Sequence, residues 1–241
     1  MNFTYDLHIH SCLSPCANDD MTPYNLVNLA KLMQLDIIAL TDHNSTKNCH
    51  ATVTAGQKAG LVVIPGMELC TAEEIHIICL FGTTKNADAF GEAVYQTLPP
   101  IKNRPEIFGT QFVMDEFDNI LDTEETLLSN ASGISVDEVP VLCREYGGIC
   151  YPAHIDRPSY SILAVFGMLD CTMGFTCAEL TPQAKLAELS KHSPDLALMH
   201  KLYSSDAHAL EILAAYTPAN IDLPACTPQA LIKSLAIPFA N

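Results

Sequence analysis

Positive charge is scarce in this sequence: 12 lysines and arginines stand against 28 aspartates and glutamates among 241 residues, a formal charge of −16. A chain so acidic repels phosphate backbones and anionic lipids unless bound cations reverse the field locally, which argues against a nucleic-acid partner and against a membrane surface. Long apolar runs are missing as well. No stretch reaches the roughly 18 consecutive apolar residues of a membrane span. The N-terminal MNFTYDLHIH lacks the basic-then-apolar layout of a secretory signal, so a cytoplasmic protein is expected. Without an export signal the ten cysteines are expected to be thiols, mostly small core residues, and not a disulfide framework.

What the chain does have is apolar material. Hydrophobic residues make up 49% and charged ones only 17%, enough to bury a large core. Single α/β barrels commonly run to about 250 residues, so 1–241 reads as one domain. Short β-branched or apolar runs alternate with longer helix-like stretches, the pattern of βα units around a largely parallel sheet. Strands are expected at 3–9, 36–41, 61–65, 74–81, 148–152, 174–180 and 201–204, with a last one at 235–239. A turn at Pro65 and Gly66 separates the third from the fourth. Thr22 and Pro23 read as N-cap and first residue of a helix that turns Leu26, Leu29, Ala30 and Met33 to one side, and a helix over 46–59 ends at Gly60. The stretch 85–146 is helical by pattern, broken at Pro99, Pro100 and Pro105, and reads as an inserted helical cap. The fold class is therefore α/β, a distorted TIM-like barrel with a helical segment inserted between the middle strands, whose site lies at the strand C-termini.

Six of the nine histidines fall within or just after expected strands: His8, His10, His43, His76, His154 and His208. His8 and His10 are two apart on a strand and face the same side, where a pair can hold one ion. Asp42, Glu68, Asp206 and one of Asp19 or Asp20 bring carboxylates to the same strand ends. One histidine at a strand end is ordinarily a hydrogen-bonded structural residue. A whole set of buried imidazoles and carboxylates is costly unless paired or metal-bound, so the set favours a metal site. Mixed nitrogen and oxygen donors suit Zn, Mn or Fe better than Mg or Ca. Arg157, three residues after His154, is the candidate phosphate contact, since a guanidinium fork matches two phosphoryl oxygens; its plain alternative is a surface ion pair. Cys12 and Cys16 have no diagnostic ligand spacing and read as inert, as do Cys171 and Cys177. His50, His192 and His200 read as surface residues, and the acidic run 115–125 as a solvated face. Asn44 and Ser11 bond either to substrate or within turns.

The ordered motifs D-L-H-x-H (6–10), T-D-H-N (41–44), P-G-M-E (65–68), E-I-H (74–76), P-A-H-x-D-R (152–157) and S-D-A-H (205–208) resemble the PHP (polymerase and histidinol phosphatase) family of metal-dependent phosphoesterases. The resemblance implies a distorted (β/α)7 barrel with a polynuclear site of two to three divalent transition-metal ions (Zn, Mn or Fe). It implies the ligands His8, His10, Glu68 and Asp206 around one ion, with Glu68 bridging, and His43, His76, His154 and His208 around the others. The loop SCLSPCANDD is longer than the common pattern, and Asp19 and Asp20 compete for its carboxylate position, with Asp19 the nominal choice. Asp42 is counted with the ligands, though it could instead orient His43. His43, Arg157 and Asp206 are the catalytic candidates. The expected activity is hydrolysis of small phosphate monoesters, a nucleoside monophosphate or a related small phosphorylated substrate, by a metal-activated water. The alternatives are a regulatory, non-catalytic metal module and a barrel amidohydrolase, which leaves Glu68 and T-D-H-N unexplained.

Overall fold

The computed structural model describes residues 1–239. In chain order its elements are β1 (Asn2–Ile9), α1 (Pro23–Leu32), β2 (Ile37–Leu40), α2 (Cys49–Ala59), β3 (Val62–Cys70), β4 (His76–Phe81), α3 (Thr84–Tyr95), α4 (Pro105–Phe108), β5 (Phe112–Met114), β6 (Ile120–Thr123), α5 (Val139–Glu145), β7 (Gly148–Pro152), α6 (Ile162–Phe166), β8 (Cys177–Leu180), α7 (Leu186–His192), β9 (His200–Tyr203), α8 (Leu210–Ala215), β10 (Ala219–Asp222) and α9 (Pro228–Leu235). The helix signals in the sequence act as expected. The Thr22 hydroxyl accepts from the Asn25 N–H with Pro23 opening α1, and Gly60 ends α2 at φ 68°. Leu26, Val27 and Ala30 of α1 pack with Ile38, Leu40 and Val63 on one side of the sheet. Truncating Leu26, which is fully buried, would cost about 2–5 kcal/mol.

The main sheet has the order β10-β1-β2-β3-β4-β7, and β8 and β9 form a separate parallel pair. β1, β2 and β3 run parallel, whereas β4 is antiparallel to both β3 and β7, and β10 to β1. The architecture is therefore a curled, mixed α/β sheet, more irregular than a ring of seven parallel strands. The curl is visible in the core. Tyr5, Ala39, Ile64, Ile78, Tyr151, Cys177 and Leu202 belong to one apolar cluster, so strands from both ends of the sheet face each other across it. α9 closes one end of that interior with Leu231 and Leu235.

Three expected elements change. No turn separates strands at Pro65 and Gly66, because β3 runs straight through them. Residues up to Pro65 pair with β2 and residues from Gly66 pair with β4, so the proline stands where one ladder hands over to the next. A Cβ on Gly66 would lie 2.7 Å from the Cys79 carbonyl oxygen, which only glycine tolerates. The stretch 85–146 is not a helical cap. After α3 it holds the single turn α4, the short helix α5 at its end and, between them, a hairpin, β5 and β6, whose connection is set by Asp115 accepting from the Phe117 and Asn119 N–H groups. The strand expected at 235–239 is absent among the described residues, and the last strand is instead β10. The cysteines are free thiols, and seven of them are buried. No described helix is long and apolar enough to cross a membrane.

Candidate metal centre

One rim of the curled sheet collects the polar side chains. β1 delivers His8 and His10, the end of β2 leads into Asp42 and His43, β3 carries Glu68, and β7, β8 and β9 deliver His154, Glu179, Asp206 and His208. β4 runs the opposite way, so its first residue, His76, arrives at the same rim as the last residues of its neighbours. A register shift between Asp6 and Ile9 places Ile9 opposite Leu40, within the helix-side core. His8 and His10 are thereby turned inward towards Glu68. Four non-glycine residues here adopt left-handed backbone: Asn44 (φ 48°), His154 (φ 28°), Tyr160 (φ 53°) and Asp206 (φ 50°). Such strain persists where surrounding contacts over-determine it, as at a binding site. Asn44 shows how: its side chain accepts from the Cys70 N–H and donates to the Leu128 and Asn130 carbonyls, so it is structural.

Glu68 is the hub. Its Oε1 lies 2.8 Å from His76 Nδ1 and 3.3 Å from both His8 Nε2 and His154 Nε2. Its Oε2 lies 3.0 Å from His43 Nδ1 and 3.3 Å from His10 Nε2. Asp206 Oδ1 approaches His8 Nε2 at 3.1 Å, His10 Nε2 at 3.2 Å and His208 Nδ1 at 3.5 Å. Three groups of donors converge closely enough to hold an ion: His8, His10, Glu68 and Asp206; His43, Glu68 and His76; and His10, His43 and His208. The first two share only Glu68, whereas the third reuses one imidazole from each.

A layer behind these residues fixes which ring nitrogen is free. His8 Nδ1 lies 3.0 Å from the buried Glu179 carboxylate, which can only accept, so Nδ1 carries the proton and Nε2 presents a lone pair to the cluster. His10 Nδ1 lies 3.0 Å from Ser14 Oγ, whose own proton goes to Asp42 Oδ1 at 2.7 Å. The serine therefore accepts from His10, and again Nε2 is the free atom. His208 Nδ1 donates to the Asp206 carbonyl at 2.9 Å, with the same result.

These donors fit metal ions. His8 Nε2 and His10 Nε2 stand 3.1 Å apart, two lone pairs that repel unless positive charge lies between or beside them. Among the described residues, His43 Nδ1, Glu68 Oε2, His154 Nδ1 and Asp206 Oδ1 are buried without a hydrogen-bond partner. The titration behaviour shows the same demand for cations. Burial pulls His8 down, yet the Asp206, Glu179 and Glu68 carboxylates outweigh it and hold the ring well above its usual value. Burial likewise opposes charge on His10 and His43, but the Asp206 and Glu68 carboxylates push His10, and the Glu68 charge pushes His43, up to about 9. Burial would raise Glu68, while His76, His8 and His43 hold it well below the carboxylate range. His208 is driven down to about 3 by burial and by His10, leaving it a neutral donor.

Two of the expected ligands stand elsewhere. Asp42 is 1% exposed but does not reach the cluster, because the Ser11 N–H and the Ser11 and Ser14 hydroxyls fill its carboxylate. Its place is behind His10, through Ser14, which also accepts from the His43 N–H. Asp19 and Asp20 are both exposed and join none of the donor groups. Successive turns at Ser11–Ser14, Ser14–Ala17 and Asn18–Met21 direct that part of the loop outward. Glu179 and Ser14 are not among the residues expected from sequence. A lone carboxylate in the apolar strand CAEL was the available signal for the first, and a hydroxyl four residues beyond His10 for the second. Arg157 Nη1 pairs with Asp206 Oδ2 and borders a cavity of about 150 Å³ over the cluster, beside Tyr160, whose ring stacks on His76.

Comparison with known proteins adds a family. The family model for the PHP domain matches residues 6–156, more than half of the chain. The 5'-3' exoribonuclease Rnm of Salmonella typhimurium is 36% identical over 80 residues, covering 32% of this chain and 26% of that protein, so only about a quarter of that relative is matched. The lesion-specific endonuclease PfuEndoQ of Pyrococcus furiosus superposes with a TM-score of 0.67 at 18% identity, over 98% of this chain and 56% of its own. Endonuclease Q in complex with a 27-mer duplex substrate, with an abasic lesion at the active site, gives 0.62 at 18% identity with the same coverages. At that identity the likeness concerns the fold. Its members nonetheless include proteins that act on nucleic acids, which overturns the expectation that net charge argues against a nucleic-acid partner. Net charge is a property of the whole surface, whereas recognition of a phosphate depends on the local field, which bound cations can reverse.

Proposed function

This chain belongs to the PHP domain family, and from that premise and the rim geometry we propose that it is a metal-dependent phosphoesterase acting on a phosphate ester of a nucleic acid. The observation that carries the reading is the convergence of the His8 and His10 Nε2 lone pairs, fixed from behind, on the Glu68 and Asp206 carboxylates beneath a cavity bordered by Arg157. His8, His10 and Asp206 on one side of Glu68, and His43 and His76 on the other, would hold two ions bridged by that carboxylate without sharing an imidazole. His208 and His154 stand beside this pair and would complete it or serve a third ion. Nitrogen and carboxylate donors together favour Zn, Mn or Fe. When bound, such ions lower the pKa of a coordinated water and neutralise charge on the phosphoryl group.

The chain's own residues do the positioning. Glu179, Ser14 and Asp42 hold two imidazoles in the tautomer that leaves Nε2 free. Arg157, 42% exposed at the side chain, swings between Asp206 and a phosphoryl oxygen pair, which its planar fork matches. Tyr160, held at φ 53° with its carbonyl accepting from the His76 N–H, keeps that ring in place. The test is a panel of single-stranded and duplex RNA and DNA oligonucleotides, each incubated with protein reconstituted with Mn, Zn or Fe. Cleavage of an oligonucleotide that stops on chelation and falls in Arg157→Lys is the expected result. Silence on every oligonucleotide with the metals demonstrably bound would overturn the reading.

A further inference from the structure

A second and larger cavity, about 520 Å³, lies beside the one over the cluster, and His154, Arg157 and Asp206 form the wall between them. A phosphate held at Arg157 would therefore point one of its ester substituents into this space. The volume lies within the range of about 300–1,000 Å³ typical of small-molecule sites. The chemistry of its walls is selective. Pro182, Ile212 and Ala215 offer apolar surface, and Gln183 and Glu211 offer hydrogen-bonding groups. Among the described residues neither of those two side chains bonds to the protein, so both are available to a ligand. Arg157 is the sole cation among the described lining residues, it is already paired with Asp206, and Glu179 and Glu211 add negative charge.

We propose that this cavity is a subsite for the uncharged terminal nucleoside of the substrate, so that the ester opened at the metal centre is the last one before a chain end. The proposal rests on the phosphoesterase reading above and adds which part of the nucleic acid enters. A base is a flat, largely apolar body with polar edges, matching the Pro182 and Ile212 surfaces with Gln183 at hand. A carboxylate such as Glu211 accepts from sugar hydroxyls or exocyclic amines but repels phosphate. An internal nucleotide would bring a second phosphate into a space with no unpaired cation. The balance is that of simple hydrolysis: one water adds across one P–O bond, the leaving oxygen takes a proton, and one terminal unit departs.

The test compares three forms of one oligonucleotide with the metal-loaded protein: linear with unphosphorylated ends, linear with both ends phosphorylated, and circular. The unphosphorylated form should be cut at least tenfold faster than the phosphorylated one, and the circle should resist. Glu211→Lys should shrink the preference between the two linear forms to threefold or less. Ala215→Trp, which adds bulk at an exposed helical position in the cavity wall, should lower kcat/KM tenfold or more with bound metal unchanged. Cleavage of the circle at the linear rate, or an unaffected Ala215→Trp variant, would overturn the subsite. Binding separates this from the function itself. Adenosine should show saturation-transfer NMR contacts with the zinc-loaded protein that vanish in Ala215→Trp; this result supports the subsite even if no ester is hydrolysed, and absence of adenosine contacts overturns it even if esters are.

Discussion

Glu68 and Asp206 sit at the centre of the rim, Glu179 and Asp42 one layer behind, and the two pairs of carboxylates are satisfied in opposite ways. The front pair faces ring nitrogens, and both Glu68 and Asp206 leave a buried oxygen without a hydrogen-bond partner. The rear pair is engaged by the protein: Glu179 by His8 Nδ1 and the His154 N–H, Asp42 by Ser11 and Ser14. Open valence in front and closed valence behind is how a chain builds an ion site, because the rear layer freezes the rings that the front layer needs. The contrast also shows in Asp42, a buried aspartate beside a histidine in sequence, whose carboxylate is taken up by Ser11 and Ser14 and not presented to the cluster.

The largest effect that sharpens this contrast is expected at the front. Glu68→Gln removes the shared charge of two donor groups, so metal content should collapse and hydrolysis should fall roughly 10³-fold, several kcal/mol of lost charge stabilisation. Measuring metal by mass spectrometry on the purified variant checks it. At the rear, Glu179→Leu and Asp42→Ala should weaken metal affinity or activity by about 10–100-fold, with Glu179→Gln milder because its amide oxygen still accepts from His8. Front and rear variants of equal severity would break the comparison.

A pH series on the metal-free protein gives a smaller effect with a definite sign. His10 and His43 have folded pKa values raised to about 9 from 6.5, so their contribution to stability is fully present below about pH 6.5 and is lost as pH rises through 9. Thermal melts should therefore show the metal-free midpoint falling over that interval, while added metal, which displaces the ring protons, removes the fall. The smallest effect belongs to Asp6, whose buried Oδ2 has no partner and whose carboxyl burial pushes up to about 7. Its penalty grows as pH rises from 3.8 towards 7. Asp6→Asn should raise stability at pH 8 by on the order of 1 kcal/mol, about 2–4 °C in the melting midpoint, with no gain at pH 4.

Much of the fold was legible because local chemistry and global architecture agree. Thr22 with Pro23, and Gly60, mark helix ends by backbone rules that tertiary contacts do not alter. The strand 148–152 has the expected bounds, since its apolar run is buried throughout. The misread regions are those where tertiary pairing decides. Pro65 and Gly66 spell a turn locally, but two different partner strands extend β3 through them. The acidic stretch after residue 114 has the composition of a solvated helix, yet Asp115 spends its carboxylate on a hairpin turn that docks on Asn48. At the site, H-x-H spacing and strand ends identify which side chains meet. They do not reveal that Ser11 and Ser14 saturate Asp42, nor that a strand 171 residues away in sequence brings Glu179 to His8, because those contacts exist only once the sheet has curled.

The most direct test strips the protein of metal, restores one metal at a time, and measures bound equivalents and oligonucleotide hydrolysis on the same samples, for the parent chain and for Glu68→Gln. The account predicts that hydrolysis appears only with bound metal, approaches its maximum near two equivalents, and disappears together with metal binding in the variant. Hydrolysis that survives complete removal of metal, or a Glu68→Gln protein that binds and cleaves like the parent, would contradict it.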